Sequence, residues 1–297
     1  MDSIIIILTG SLVAICCSIL GCFLILRKMA MVSDAISHAV LPGIVIAFML
    51  GGDLDSIWML LGAGIVGVFT TFLIEFFHQK GKLQTDASIG VTFTWLFAIG
   101  VIMVTYYAGD AHIDQDCVLY GEIAYVPLDL IITDSGSVLG PKALIVLLVV
   151  FIAIVLIIVP FFKEFLITSF DPSFALAAGM SVSLWHYLLM SLVSITTVAS
   201  FESVGAILVV AFLIVPPATA YLISNRLKNM IFISCGIGVI VSILGYYLAY
   251  MIDGSIAGAM ATVSGIIFGL VFMMKRMLNK QIASSLKHQE ALQNPTI

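Results

Sequence analysis

Charge is what this sequence has least of. Asp, Glu, Lys and Arg make up 10% of its 297 residues, while apolar types make up 62%. A water-soluble domain carries about 25% charged residues, so a soluble globular fold is excluded. Long apolar runs with so few charges read as transmembrane helices. Several chemical signatures are also missing. There is no GxxxxGK[ST] phosphate loop, so ATP is not bound by that route, and there is no HExxH, no GxSxG elbow and no paired Asp-rich motif. The chain is therefore not expected to be an enzyme, and no residue is assigned as catalytic. The five cysteines form no disulfide framework: Cys16, Cys17, Cys22 and Cys235 lie in apolar runs as small hydrophobes, and Cys117 stands alone in a loop. Met1–Leu26 lacks both a basic leading segment and a small-residue cleavage site, so it reads as a membrane span and not a cleaved signal.

What is present is an all-α pattern of about nine apolar stretches, each close to the ~20 residues a bilayer requires. They lie near 3–26, 30–50, 56–77, 87–108, 142–162, 184–201, 204–224, 229–251 and 255–274. Sorting the connections alternately puts Arg27, Lys28, Lys80, Lys82, Lys163, Arg226, Lys228, Lys275, Arg276, Lys280 and Lys287 on one side, with only Lys142 on the other. The positive-inside rule makes the first side cytoplasmic. The N-terminus is then outside and the C-terminus inside. Residues 1–280 form one polytopic membrane domain, and 281–297 a polar tail. The outer side is acidic, with Asp53, Asp55, Asp110, Asp114, Asp116, Asp129, Asp134 and Asp253. No nucleic-acid partner is expected.

Two connections are long. Residues 109–141 are exterior and contain LYGEIAYVP, too short to span, which fits a re-entrant or surface-lying piece. Residues 163–183 are cytoplasmic. There Asp171 can cap a helix, Pro172 suits its first turn and Gly179 its end, which predicts a short helix near 172–178 presenting Phe174 and Leu176. That helix either lies on the lipid interface or meets a partner. Gly62, Gly64 and Gly67, and the pairs Gly254/Gly258 and Gly265/Gly269, have the spacing of close helix contacts.

Ionisable residues inside such spans carry the chemistry. In MVSDAISHAVLPG, residues 31–43, Asp34 and His38 stand one helical turn apart and share a face. A carboxylate facing lipid costs about 2.5–3.5 kcal/mol, so both face a cavity or a partner. Pro42 has no N–H, which bares the carbonyl of His38 and kinks the helix. Carboxylate oxygen with imidazole nitrogen suits manganese, iron or zinc; the plainer alternative is an Asp–His hydrogen bond that only holds helices together. A second break, VGAILVVAFLIVPPATA at 204–220, has Pro216 and Pro217 freeing the carbonyls of Phe212 and Leu213, either along a transport path or as a simple kink. Glu75 and His78 read as a solvated helix end, and Glu202, at an outer helix end, is ambiguous. His112 among Asp110, Asp114 and Asp116 reads as a solvated acidic loop.

SDAISHAVLPG, SFDPSFALAAG and VGAILVVAFLIVPPATA, in that order, resemble the metal-importing permeases of ABC transporters, and most nearly the manganese-type members. The resemblance extends over nearly the whole chain. Ser33 stands where many members have Gly, and Pro217 where Ala usually follows the first proline. The resemblance implies that Asp34 and His38 coordinate the transported metal, manganese first and zinc or iron as alternatives, with no permanently bound cofactor. It implies that Asp171–Gly179 is a coupling helix docking on cytoplasmic ATP-binding subunits. Gly121 and Glu122 match a gating-loop motif that usually reads FGD or FGN. Implied partners are two ATP-binding subunits, a second permease subunit (the same or different) and an extracellular metal-binding lipoprotein, at a bacterial plasma membrane. A proton- or cation-coupled secondary carrier using Asp34 and His38 is the alternative.

Overall fold

The computed structural model describes residues 2–51, 57–107, 123–132 and 138–293. In chain order the helices are α1 (Asp2–Leu26), α2 (Val32–Ala39), α3 (Leu41–Gly51), α4 (Ile57–Gln79), α5 (Thr85–Tyr107), α6 (Lys142–Ile158), α7 (Phe162–Phe170), α8 (Pro172–Ala177), α9 (Val182–Val204), α10 (Ala206–Ile223), α11 (Leu227–Ile252) and α12 (Ile256–Gln293). Helices dominate because a backbone in hydrocarbon must satisfy its own N–H and C=O groups. Among the described residues, eight helical stretches are long and apolar enough to span a bilayer, with α2 and α3 counted as one of them. The count is nine if α6 and α7, bent 75° from each other, form one span.

Two of the expected spans are not straight helices. The 30–50 stretch breaks at Val40 into α2 and α3. The 142–162 stretch ends as α6 at Ile158, because Pro160 cannot donate to the carbonyl of Leu156; the chain then turns and runs on as α7. The C-terminal residues, by contrast, continue α12 without a break to Gln293.

α1 lies deepest. Val13, Cys16, Cys17, Leu20 and Phe23 are fully buried, and the helix packs on α10 and α11, which α12 then covers. A second group, α2 to α5, forms beside it, and α9 joins the two by packing on α4, α6 and α1. Side chains on the outside are apolar, among them Ile65, Ile102, Leu156 and Phe232, as lipid contact requires. Gly62 and Gly67 do mediate close contacts. A Cβ on Gly62 would lie 2.7 Å from the carbonyl oxygen of Gly43, and one on Gly43 would lie 2.5 Å from that of Gly62, so α3 and α4 touch backbone to backbone. Gly64, Gly265 and Gly269 face open space, and Gly254 and Gly258 meet only their own neighbours in the chain. The α12 glycines therefore do not pack helices within the subunit; α12 meets α11 through Met260 set against Gly245.

The connection after α5 adds the one departure from an all-helical chain among the described residues. A single 3-10 turn, Ile123–Tyr125, buries Ile123 and packs near α1 and α12. An antiparallel ribbon follows, β1 (Leu130–Ile132) with β2 (Val138–Pro141), with Leu130 opposite Pro141 and Ile131 opposite Gly140. At the other end of the bundle the basic connections gather. One cavity there is lined by Arg27, Lys28, Gln79, Thr85, Pro172 and Val182. A neighbouring groove joins Phe170 and Phe174 to Arg226 and Lys228, and Lys275 Nζ donates to the Leu222 carbonyl at 2.6 Å.

Candidate translocation site

α2 presents Asp34 and His38 on one side, with Nε2 of His38 3.8 Å from Oδ1 of Asp34. That is contact without a hydrogen bond. The side chain of Asp34 is 41% exposed and that of His38 35%, so the pair is open on one flank. On the other flank the imidazole meets α5, its ring centre 6.0 Å from that of Phe93 and 5.7 Å from that of Phe97. Ser37 anchors the helix locally, its hydroxyl donating to the carbonyls of Ser33 (3.0 Å) and Asp34 (2.9 Å).

The break behind the pair has a clear cause. The carbonyl of Val40 takes the N–H groups of both Gly43 (2.9 Å) and Ile44 (3.2 Å), while Pro42 has none to give to His38. α5 wedges the break in place, since a Cβ on Gly100 would lie 2.9 Å from Cδ of Pro42. Two donors do not complete a coordination shell of four to six, and among the described residues no cluster of three or more His, Cys, Asp or Glu side chains forms. One chain thus presents one carboxylate and one imidazole on this face of α2.

The double proline lies on another helix. Pro216 and Pro217 are buried in α10, as are Phe212 and Leu213. The carbonyl of Leu213, freed by Pro217, points at α1, where a Cβ on Gly21 would lie 2.1 Å from the oxygen. The glycine lets its own Cα–H approach that oxygen, a weak substitute for the missing N–H. Gly121 and Glu122 lie outside the described residues. Glu202 belongs to α9, and its side chain is likewise outside the description.

The 171–179 segment is built as a capped helix. Oδ1 of Asp171 accepts from the Phe174 N–H at 2.9 Å, and Pro172 occupies the first turn of α8. At the other end Gly179 has φ +79, a left-handed conformation that glycine takes without strain. Met180 N–H closes back on the Ala175 carbonyl at 3.0 Å. Ala175 is buried, while Phe174 (58%) and Leu176 (63%) stand out from the surface.

One cluster was hidden in the sequence. Glu75 is not a solvated helix end. Its Oε2 pairs with Nε2 of His186 on α9 at 3.1 Å, and the two side chains are only 12% and 13% exposed. Gln79 donates to its other oxygen. His78, its neighbour in sequence, meets the Leu83 carbonyl instead, at 2.9 Å. Arg27 joins this pair, Nη1 lying 3.2 Å from Nδ1 of His186. Burial pushes the Arg27 guanidinium down to about 10, and the nearby Glu75 charge opposes that shift. Only a lone arginine just past α1 and a lone histidine in an apolar helix could have pointed to the cluster, and neither names its partner.

A helical bundle with a carboxylate–imidazole pair at a broken membrane helix, and a capped apolar helix at its basic end, defines the class: a multi-pass membrane transport protein. Comparison with known proteins gives the family. The model of the ABC 3 transport family matches residues 4–276, and the chain belongs to that family. It is 51% identical over 244 residues to the manganese transport system membrane protein MntD of Bacillus subtilis, covering 82% of each chain. It is 33% identical over 242 residues to a protein of Haemophilus influenzae described as an iron transport system membrane protein, again covering 82% of each. Among solved structures it resembles PsaBC from Streptococcus pneumoniae in complex with Fab, with TM-score 0.73, 36% identity and 90% of each chain covered.

Proposed function

We propose that this chain is the permease subunit of an ATP-driven importer of a divalent transition metal, manganese first, in a bacterial plasma membrane. The observation that carries this reading is the open Asp34–His38 pair beside the Pro42 break, in a chain whose relatives include manganese transport proteins. Oxygen and nitrogen donors suit manganese, iron and zinc alike. Choice among them falls largely to an extracellular binding lipoprotein that delivers the ion. A site that must release its cargo needs few ligands from each subunit. The open flank of α2 supports a second permease subunit, identical or different, contributing its own donors. In this reading the basic end of the bundle is the cytoplasmic one, by the positive-inside rule, and the N-terminus is outside. There α8 docks on a separate ATP-binding subunit through Phe174 and Leu176, and that subunit hydrolyses ATP. The metal the chain handles is its cargo, and the reading assigns it no resident cofactor. A secondary carrier would use the same pair but would give α8 no task.

The test is uptake of radiolabelled manganese by cells carrying Asp34→Ala or His38→Ala at matched expression. Loss of uptake is expected in both. Normal uptake in both single variants overturns the metal-ligand role.

A further inference from the structure

Arg27 uses its guanidinium as a three-way junction. Nε donates to Ser169 Oγ at 2.9 Å and Nη2 to Thr168 Oγ1 at 3.2 Å, both on α7. Nη1 lies 3.2 Å from Nδ1 of His186 on α9. Arginine has no acceptor and does not give up its proton here, so Nδ1 of His186 is the accepting nitrogen. The imidazole proton is thereby fixed on Nε2, where it is donated to Glu75 of α4 at 3.1 Å. α7, the α1–α2 link, α9 and α4 are therefore threaded on one polar chain.

Both ends of that chain lie next to working parts. Ser169 is two residues before Asp171, the cap of α8, and Pro172 lines the same cavity of about 310 Å³ as Arg27, Glu75 and His186. Arg27 itself is followed by Lys28 at φ +59. Met29 N–H bonds back to the Leu24 carbonyl at 3.0 Å, which closes the end of α1 into a stiff turn. Val32, the first residue of α2, comes three residues after Met29, and Asp34 two residues later. A displacement of Ser169 and Thr168 is thus handed to the turn that begins the helix carrying the metal pair.

The way Arg27 is held suits a moving part. Its direct partners among the described residues are two hydroxyls and an imidazole, with no carboxylate on the guanidinium. Its counter-charge, Glu75, sits one imidazole away, and the cavity alongside leaves the fork room to shift. A static strut is better made by a bidentate arginine–carboxylate pair.

We propose that Arg27 is a positioning residue for transport: it carries the movement of the ATPase-facing segment α7–α8 to α2 and so sets when the Asp34–His38 pair holds or releases its ion. This inference rests on the reading of α8 as the ATPase contact. Three donors at fixed angles are the working feature, so lysine, with the same charge on a single nitrogen, does not replace arginine.

The experiment uses the complete complex, permease with its ATP-binding subunits and binding protein, in proteoliposomes. Manganese(II) moved and ATP hydrolysed are measured together for the wild type, Arg27→Lys, Ser169→Ala and Asp171→Lys, with melting temperatures of each. Arg27→Lys is expected to melt within about 4 °C of the wild type and to continue hydrolysing ATP. Manganese moved per ATP should fall about tenfold, the factor that one charge-assisted hydrogen bond of ordinary strength carries. Ser169→Ala, which removes a single arm of the junction, should lower the same ratio by a smaller factor. A wild-type ratio in Arg27→Lys overturns the proposal. So does a parallel fall of hydrolysis, transport and melting temperature in both Arg27→Lys and Ser169→Ala, because that is the mark of a strut. Asp171→Lys reports separately on α8: if it leaves ATPase stimulation unchanged, the docking reading fails whatever the Arg27 ratio shows.

Discussion

Two carboxylate–imidazole pairs stand among the described residues of this bundle, and they are built in opposite ways. Asp34 and His38 lie on one helix, 3.8 Å apart and more than a third exposed, and the Asp34 carboxylate makes no hydrogen bond among the described residues. Glu75 and His186 come from two helices, approach to 3.1 Å and are nearly buried. Their remaining capacity is taken up by Gln79 and Arg27. A pair with unused lone pairs and an open side is free to take a third party. A pair whose two carboxylate oxygens and two ring nitrogens each already have a partner links its helices and leaves no atom free for a passing cation. Donor chemistry alone does not separate a binding site from a link between helices; the satisfaction of the donors does.

That contrast can be broken most directly at α2. Asp34→Ala or His38→Ala should cut manganese uptake by about 10–100-fold or more, since loss of a metal's outer-shell partner alone costs that much. The same variants should melt within about 1 kcal/mol of the wild type, because a pair this exposed contributes little to stability. Detergent-solubilised melting curves beside uptake assays read both halves. Glu75→Ala should do the reverse in stability, losing about 1–3 kcal/mol because it leaves the nearly buried imidazole N–H of His186 without its acceptor; an unchanged melting temperature would put Glu75 on the same footing as Asp34. Backbone contacts give a finer comparison. Gly21→Ala drives a methyl into the Leu213 carbonyl and should cost about 1–3 kcal/mol, whereas Gly64→Ala, facing open space, should stay within about 0.5 kcal/mol. A smaller effect than at Gly21, and of opposite sign, is expected from Pro42→Ala. Restoring an N–H for the His38 carbonyl should raise stability by about 0.5–1.5 kcal/mol while lowering uptake. A variant that is steadier and still transports normally would mean the break plays no part at the Asp34–His38 pair.

Much of this was legible in the sequence because it is local. Asp34, His38 and Pro42 announce a shared face and a break by spacing alone. Asp171, Pro172 and Gly179 mark the start and end of α8 by cap chemistry, and the helix forms at Pro172–Ala177. Hydropathy located the spans but not their bends: Pro160 is plain to read, yet the 75° turn it permits depends on what α7 packs against. Glu75 was misread because its partner lies 111 residues further on at His186. No period or spacing encodes such a distance, and the nearer His78 was a decoy. The glycine pairs of α12 failed for a related reason: spacing places residues on a common face without saying which face meets another helix.

The burial of α1 has a consequence in time. Its hydroxyl contacts reach Ser234 from Ser18 and Tyr246 from Ser3, across 216 and 243 positions of chain. At a synthesis rate of roughly 5–20 residues per second, the first helix waits about 10–50 seconds in the bilayer before α11 exists to receive it. During that wait it must be content with lipid, and its composition allows this, since Thr9 turns its hydroxyl back onto the Ile5 carbonyl at 2.9 Å. A nascent chain stopped after α9 would expose Gly21 and the cysteine-bearing face of α1 to lipid or to whatever membrane chaperone is at hand. Assembly of this protein is therefore completed from its C-terminal end, by helices that arrive last and close over the one that arrived first.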